Sequence, residues 1–115
     1  MGTNILTDEQ YKMLSKKLIN TLEKHYKIIP LNTLKNSHFV LKKPIYITIE
    51  KEKDVVIASL DDIEAFAYAD TEFEAINHLC EEIINLYLDL KENRKELGTL
   101  PQKWLQYFEE VIEYR

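Results

Sequence analysis

Four carboxylates gather between positions 61 and 70 of this chain: Asp61, Asp62, Glu64 and Asp70. Grouped carboxylates can hold a divalent cation or work as an acid/base pair. Metal-assisted nuclease chemistry needs acids that converge from several strands. Here all four fall in one loop-and-strand segment, and no second acid group with ligand spacing accompanies them. The corner therefore reads as a solvated turn, and no metal is expected. His78 and Cys80 stand two apart on an expected helix, so they point to different faces and cannot pair with each other. Cys80 falls on the apolar stripe and reads as a small buried hydrophobe. His25 and His38 have no fixed partner in sequence, and no Cys/His spacing suits zinc. There is no Gly-rich phosphate loop and no G-x-S-x-G elbow. Ser15, Ser37 and Ser59 have no activating context. No catalytic residue, metal site or cofactor is expected.

The elements that position these residues lie between Pro44 and Tyr87. Ile45, Ile47 and Ile49 alternate with Tyr46, Thr48 and Glu50, the period of a half-buried strand. Lys51 to Asp54 is a polar turn. Val55 to Leu60 is apolar on both faces and should be a central strand. In a third strand Ala65, Ala67 and Ala69 share one face, and Phe66 and Tyr68 the other. The small face should let a helix or another strand approach closely. Thr71 and Glu74 have capping-box spacing, and Glu72 and Glu74 suit a positive helix N-terminus. Ile76, Leu79, Cys80, Ile83, Tyr87 and Leu90 form a buried stripe, widened by Ile84 and Leu88. The spacing predicts a helix over about 72–96, with Gly98 as its C-cap.

On the N-terminal side, Thr7 and Gln10 make another capping box. Tyr11, Leu14, Leu18, Leu22 and Tyr26 recur at helical spacing, with Ile19 beside them. This predicts an amphipathic helix over about 8–27, stopped by Pro30. Its stripe reads as a core face, since no Trp or Phe marks it for a membrane interface. Residues 28–44 read as a packed connection with a short strand near 38–41. Lys35, His38, Lys42 and Lys43 make a basic patch there. Only Phe39 interleaves it, and no reader motif accompanies it, so nucleic acid is not an expected partner. Pro101 opens a final helix over 101–115, with Trp104, Leu105, Phe108, Val111 and Ile112 on its apolar face. Trp104 should anchor that helix to the long one or to the sheet.

The chain has 115 residues, which points to one domain over 1–115, large enough to form a core without staples. One cysteine excludes an internal disulfide and suits a reducing compartment. No apolar run approaches the roughly 20 residues that span a bilayer. The first residues lack a signal-peptide pattern, and Leu6 breaks the myristoylation motif. A cytoplasmic location without membrane contact is the expectation. Charge is uneven. Residues 1–43 carry eight Lys against three acids, and residues 44–115 carry seven basic against seventeen acidic residues. The second part, at −10, should repel phosphate backbones and favour a basic partner. The plainer reading is that both parts are solvated surface.

Ile57-Ala58-Ser59-Leu60 on the second strand, then Ala69-Asp70-Thr71-Glu72-Phe73-Glu74-Ala75, resemble the HicB-like antitoxin domain. The second run is similar to that family's G-D-T-x-x-E-A approach to its helix. Ala69 stands where the family usually has Gly, and Asp61 where Pro often follows the A-S-L run. The resemblance covers Pro44 to about Leu90. It implies a partial ribonuclease-H-like fold, a sheet with a helix on one face, and no enzymatic activity. Many members neutralise a small RNA-cleaving toxin, HicA, and some repress their operon through an added DNA-binding domain. No such addition is evident here, because the last helix is acidic and stands alone.

The expected architecture is thus α+β: a three-stranded antiparallel sheet packed by one long helix, HicB-like over 44–96, with an extra N-terminal helix and a C-terminal helix. The expected function is that of an antitoxin or solitary relative that binds a basic protein partner through Asp61, Asp62 and Glu64. One alternative is a self-associating structural or regulatory module, since sheet edges must be covered or paired and a homodimer is one solution. Another is a metal-dependent nuclease, with Asp61, Asp62 or Asp70 on Mg²⁺.

Overall fold

The computed structural model describes residues 25–115. The expected helix over 8–27 lies outside the described residues except for its last three positions. Those three belong to a strand. β1 runs His25–Leu31, β2 Phe39–Leu41, β3 Ile45–Glu52, β4 Val55–Leu60 and β5 Ala65–Ala69. Helix α1 follows over Glu72–Glu92, then α2 over Thr99–Val111 and β6 over Ile112–Tyr114.

The main sheet has four strands, all antiparallel, in the order β1-β3-β4-β5. The expected sheet had three. The added strand is β1, whose pairing runs from His25↔Lys51 to Leu31↔Ile45. Pro30 reads as a helix stop, yet it sits inside this strand opposite Tyr46. Proline is compatible with that position because β1 is an edge among the described residues, where a missing N–H need break no ladder. The alternation confirms the strand: Leu31 is buried and Ile29 half-buried, whereas Ile28 and Pro30 are exposed.

The core forms on one face of this sheet. Ile45, Ile47 and Ile49 of β3, Val56, Ala58 and Leu60 of β4, and Ala67 of β5 are buried there. Helix α1 lies across β4 and β5 and brings Ala75, Leu79, Cys80, Ile83, Tyr87 and Leu90 to the same core. Ala58 and Ala75 are fully buried, so the helix seats where the sheet offers small side chains, as the alanine alternation predicts. Each fully buried Leu or Ile in this layer contributes about 1.5–3 kcal/mol relative to exposure. Thr71 caps α1: its Oγ1 accepts a hydrogen bond from the Glu74 N–H at 3.1 Å. Ile84 is half-buried and Leu88 exposed, so the stripe widens less than its sequence suggests.

The C-terminal part departs from expectation in two ways. Helix α1 stops at Glu92, capped by Asn93, and a 3₁₀ turn Arg94–Glu96 follows. Gly98 is then the N-cap of α2 rather than the C-cap of the long helix. The last helix also ends early. Ile112–Tyr114 leaves it as β6 and pairs with β2 in a separate two-stranded ribbon. The ribbon is closed by Lys42 N–H to Val111 C=O and Arg115 N–H to His38 C=O, both 2.7 Å. Aromatic contacts tie it to the helices: Phe39 meets Tyr87 edge-on at 6.1 Å and Tyr114 at 5.3 Å, while Tyr87 meets Phe108 at 5.6 Å. Among the described residues no helix is long and apolar enough to cross a membrane.

The close seating of α1 gives a test. Ala58→Leu adds three carbons where the sheet has no room, and should cost about 1–3 kcal/mol in urea unfolding. An unchanged midpoint would contradict this packing.

Candidate functional site: an acidic corner beside a mixed groove

The corner between β4 and β5 is a 3₁₀ turn, Asp61–Ile63, closed by Glu64 in the left-handed region at φ 56°. The Glu64 N–H returns to the Asp61 C=O at 3.3 Å. Ile63 is fully buried and pins the turn to the core. Successive side chains on a 3₁₀ turn point about 120° apart. The acids of the corner consequently diverge. Asp61 accepts a hydrogen bond from the Thr48 hydroxyl at 3.1 Å, on the outer side of the sheet. Asp62 faces Tyr107 of α2, whose phenol is pushed up to about 12, chiefly by burial and then by the charge and hydrogen bonding of Asp62. Glu64 turns toward α1 and lines an open groove with Glu82, Asp89, Phe66, Leu86 and Trp104. Asp70 sits at the far end of β5, beside Thr71, Lys27 and Glu72, with Lys27 and Glu72 in an ion pair at 3.0 Å.

The three proposed contact residues thus share one turn but not one focus. Among the described residues no group of three or more His, Cys, Asp or Glu side chains could hold a metal ion. The groove is different in kind. It combines three carboxylates with an aromatic and aliphatic floor, in a volume of about 380 Å³. Such a surface suits a partner segment that carries basic groups on an apolar stem. Reading the sequence did not single out Glu82 and Asp89. Their spacing of seven, with Asn85 between them, puts all three on one stripe of α1, which is the available signal. Trp104 is half-buried against the core and contributes its remaining surface to the groove, so its anchoring role holds.

The other chemical candidates resolve into structural roles. Cys80 is buried, burial pushes its thiol up, and its Sγ lies 3.9 Å from the Thr33 carbonyl. His78 is exposed on another face of α1, with Nδ1 3.5 Å from the Tyr68 carbonyl. The basic patch of Lys35, His38, Lys42 and Lys43 is broken up. Lys35 lies 4.4 Å over the Phe73 ring, His38 stacks on Tyr114, and Lys42 Nζ donates to the Glu109 carbonyl at 3.0 Å.

Tyr107 supplies a pH signature for the corner. Its raised value means that its contribution to stability is fully present below its ordinary value of 10.0 and is lost as pH rises through about 12. The wild-type urea midpoint should therefore fall across that window by more than that of Tyr107→Phe, and parallel curves would contradict a phenol raised by its burial and by Asp62. No family model, curated protein or solved structure matches this chain.

Proposed function

We propose that this chain is a non-catalytic binding module of the HicB-like kind, an antitoxin or solitary relative. Its acidic corner and the adjoining groove hold a basic protein partner, such as a small RNA-cleaving toxin. The observation that carries this reading is the groove, which Glu64, Glu82 and Asp89 line together with Leu86 and Trp104. Carboxylates around an apolar floor give a cationic segment both long-range steering and a place to bury its aliphatic stems. The strand-strand-strand-helix core over 45–92 agrees with the layout that the resemblance implies. The outward fan of Asp61, Asp62 and Glu64 favours contact over a surface rather than convergence on one reacting atom. Of the three, Glu64 lines the groove, and Asp61 and Asp62 adjoin it on the same turn.

A second reading, a self-associating module, draws on β5. This edge strand pairs only with β4 among the described residues and carries exposed Phe66 and Tyr68. Strand addition there would cover the edge in a homodimer.

One experiment separates the two. The protein is titrated into a small cationic ribonuclease of the toxin class, and RNA cleavage and light scattering are followed together. The first reading expects inhibition, and at least a tenfold weaker Kd in a variant carrying Asp61→Lys, Asp62→Lys and Glu64→Lys. Equal inhibition by wild type and variant would remove the corner from the interface. A stable dimer that leaves cleavage untouched would favour self-association.

A further inference from the structure

Among the described residues β5 pairs with β4 on one side only, so its other side is an edge of the main sheet. Phe66 points to the outer face of that sheet, and α1 packs on the inner face. A groove lined by Phe66 and by Glu82, Asn85, Leu86 and Asp89 of α1 therefore opens along this edge. The register shows which backbone groups are aimed there. In an antiparallel ladder, pairs that exchange both backbone bonds alternate with pairs that exchange none. The tight turn Lys53–Asp54 joins Glu52 to Val55 and makes theirs a bonded pair. Val55, Ile57 and Ser59 then bond to β3, which leaves Val56, Ala58 and Leu60 to bond to Ala69, Ala67 and Ala65. Phe66 and Tyr68 consequently turn their N–H and C=O groups to the edge. The position of His78 agrees, with Nδ1 3.5 Å from the Tyr68 carbonyl. Ala65–Ala69 contains no proline, no charged residue and no bulge, the usual devices that blunt an edge. The opposite edge, β1, carries Lys27 and Pro30.

We propose that the cationic partner binds as an extended segment that adds to β5 as a further strand, with basic and apolar side chains in alternation. The inference rests on the reading that the groove receives a cationic protein, and it names the form of the segment that enters. Backbone bonds to Phe66 and Tyr68 supply attachment, and the two sides of the added strand supply selection. Residues of that strand opposite Ala65 and Ala67 face the same way as these alanines, toward α1. There they meet Glu82, Asn85 and Asp89, which suit lysine or arginine. Residues opposite Phe66 and Tyr68 lie on the outer face beside two exposed aromatic rings, which suit β-branched or aromatic side chains. Charge selects this occupant over a second copy. A two-fold axis through Ala67 would set Glu64 of one copy against Asp70 of the other. It would also lay Ala65, Ala67 and Ala69 over the acidic stripe of α1, with no cation among them.

The test titrates the full chain with a short peptide that alternates lysine and valine, and with a control of the same composition whose lysines form one block. The alternating peptide should bind about tenfold more tightly, the equivalent of a few backbone bonds. It should also slow hydrogen exchange at the Phe66 and Tyr68 amides, and Glu82→Lys/Asp89→Lys should weaken it. Phe66→Pro removes an N–H that β4 does not use, so the chain should keep its fold and lose the preference for the alternating peptide. Should that variant unfold, the same peptide with N-methylated valines decides, because these are the residues whose N–H groups face β5. It should bind no better than the block control. Equal binding of the alternating and block peptides with unchanged Phe66 and Tyr68 amides would overturn strand addition and leave the acidic groove standing. Binding of neither peptide would remove both. Phe66 and Tyr68 amides already slow in the protein alone would overturn the proposal as well, in favour of a second copy if dilution frees them and of the chain itself if it does not.

Discussion

The seating of α1 on the small-residue face of β4 and β5 is the contact on which the rest of the structure depends. Ala58, Ala67 and Ala75 bring backbone close to backbone, and Ile47, Leu60, Leu79 and Ile83 fill the space around them. That single choice of face has consequences in both directions. It fixes Ile63 at the core and so sets the turn that aims Asp61, Asp62 and Glu64. It places Glu82 and Asp89 beside Glu64 at the margin between sheet and helix. It also leaves Tyr46, Phe66 and Tyr68 on the opposite face, where α1 cannot cover them.

Two weaker layers complete the domain. The ribbon of β2 and β6 closes the end of the helical layer through Phe39, Tyr87, Phe108 and Tyr114. The charged surface adds little to stability. Lys27–Glu72, Arg94–Glu109 and Glu113–Arg115 are exposed pairs of the kind worth roughly 0–1 kcal/mol. The acidic excess of residues 44–115 would instead speed encounter with the cationic partner proposed above, through long-range attraction.

Much of the fold was legible because it is periodic. Ile45-Ile47-Ile49, the alternation through Ala69 and the stripe from Leu79 to Leu90 each state their element in a single window. What was missed depends on contacts distant in sequence. β1 is a strand because its residues find β3 twenty positions later, and Pro30 masks it by imitating a helix stop. Ile112 continues the helical stripe of Trp104, Leu105 and Phe108, so nothing local marks β6; its pairing with Phe39–Leu41 does. The site was legible in the same uneven way. The corner's acids are neighbours in sequence and were seen as a cluster, but a 3₁₀ turn spreads neighbours apart. The acids that join Glu64 come from α1, eighteen and more residues away.

The central claim is that the groove bounded by Glu64, Glu82, Asp89 and Trp104 receives a cationic partner. Trp104 is the chain's one tryptophan, so its fluorescence reads that groove directly. The measurement is a titration with a basic ribonuclease that itself lacks tryptophan, at low and at high salt. The account predicts a saturable shift of Trp104 emission at low salt that weakens as salt rises. A complex that forms while the emission of Trp104 stays fixed would contradict it.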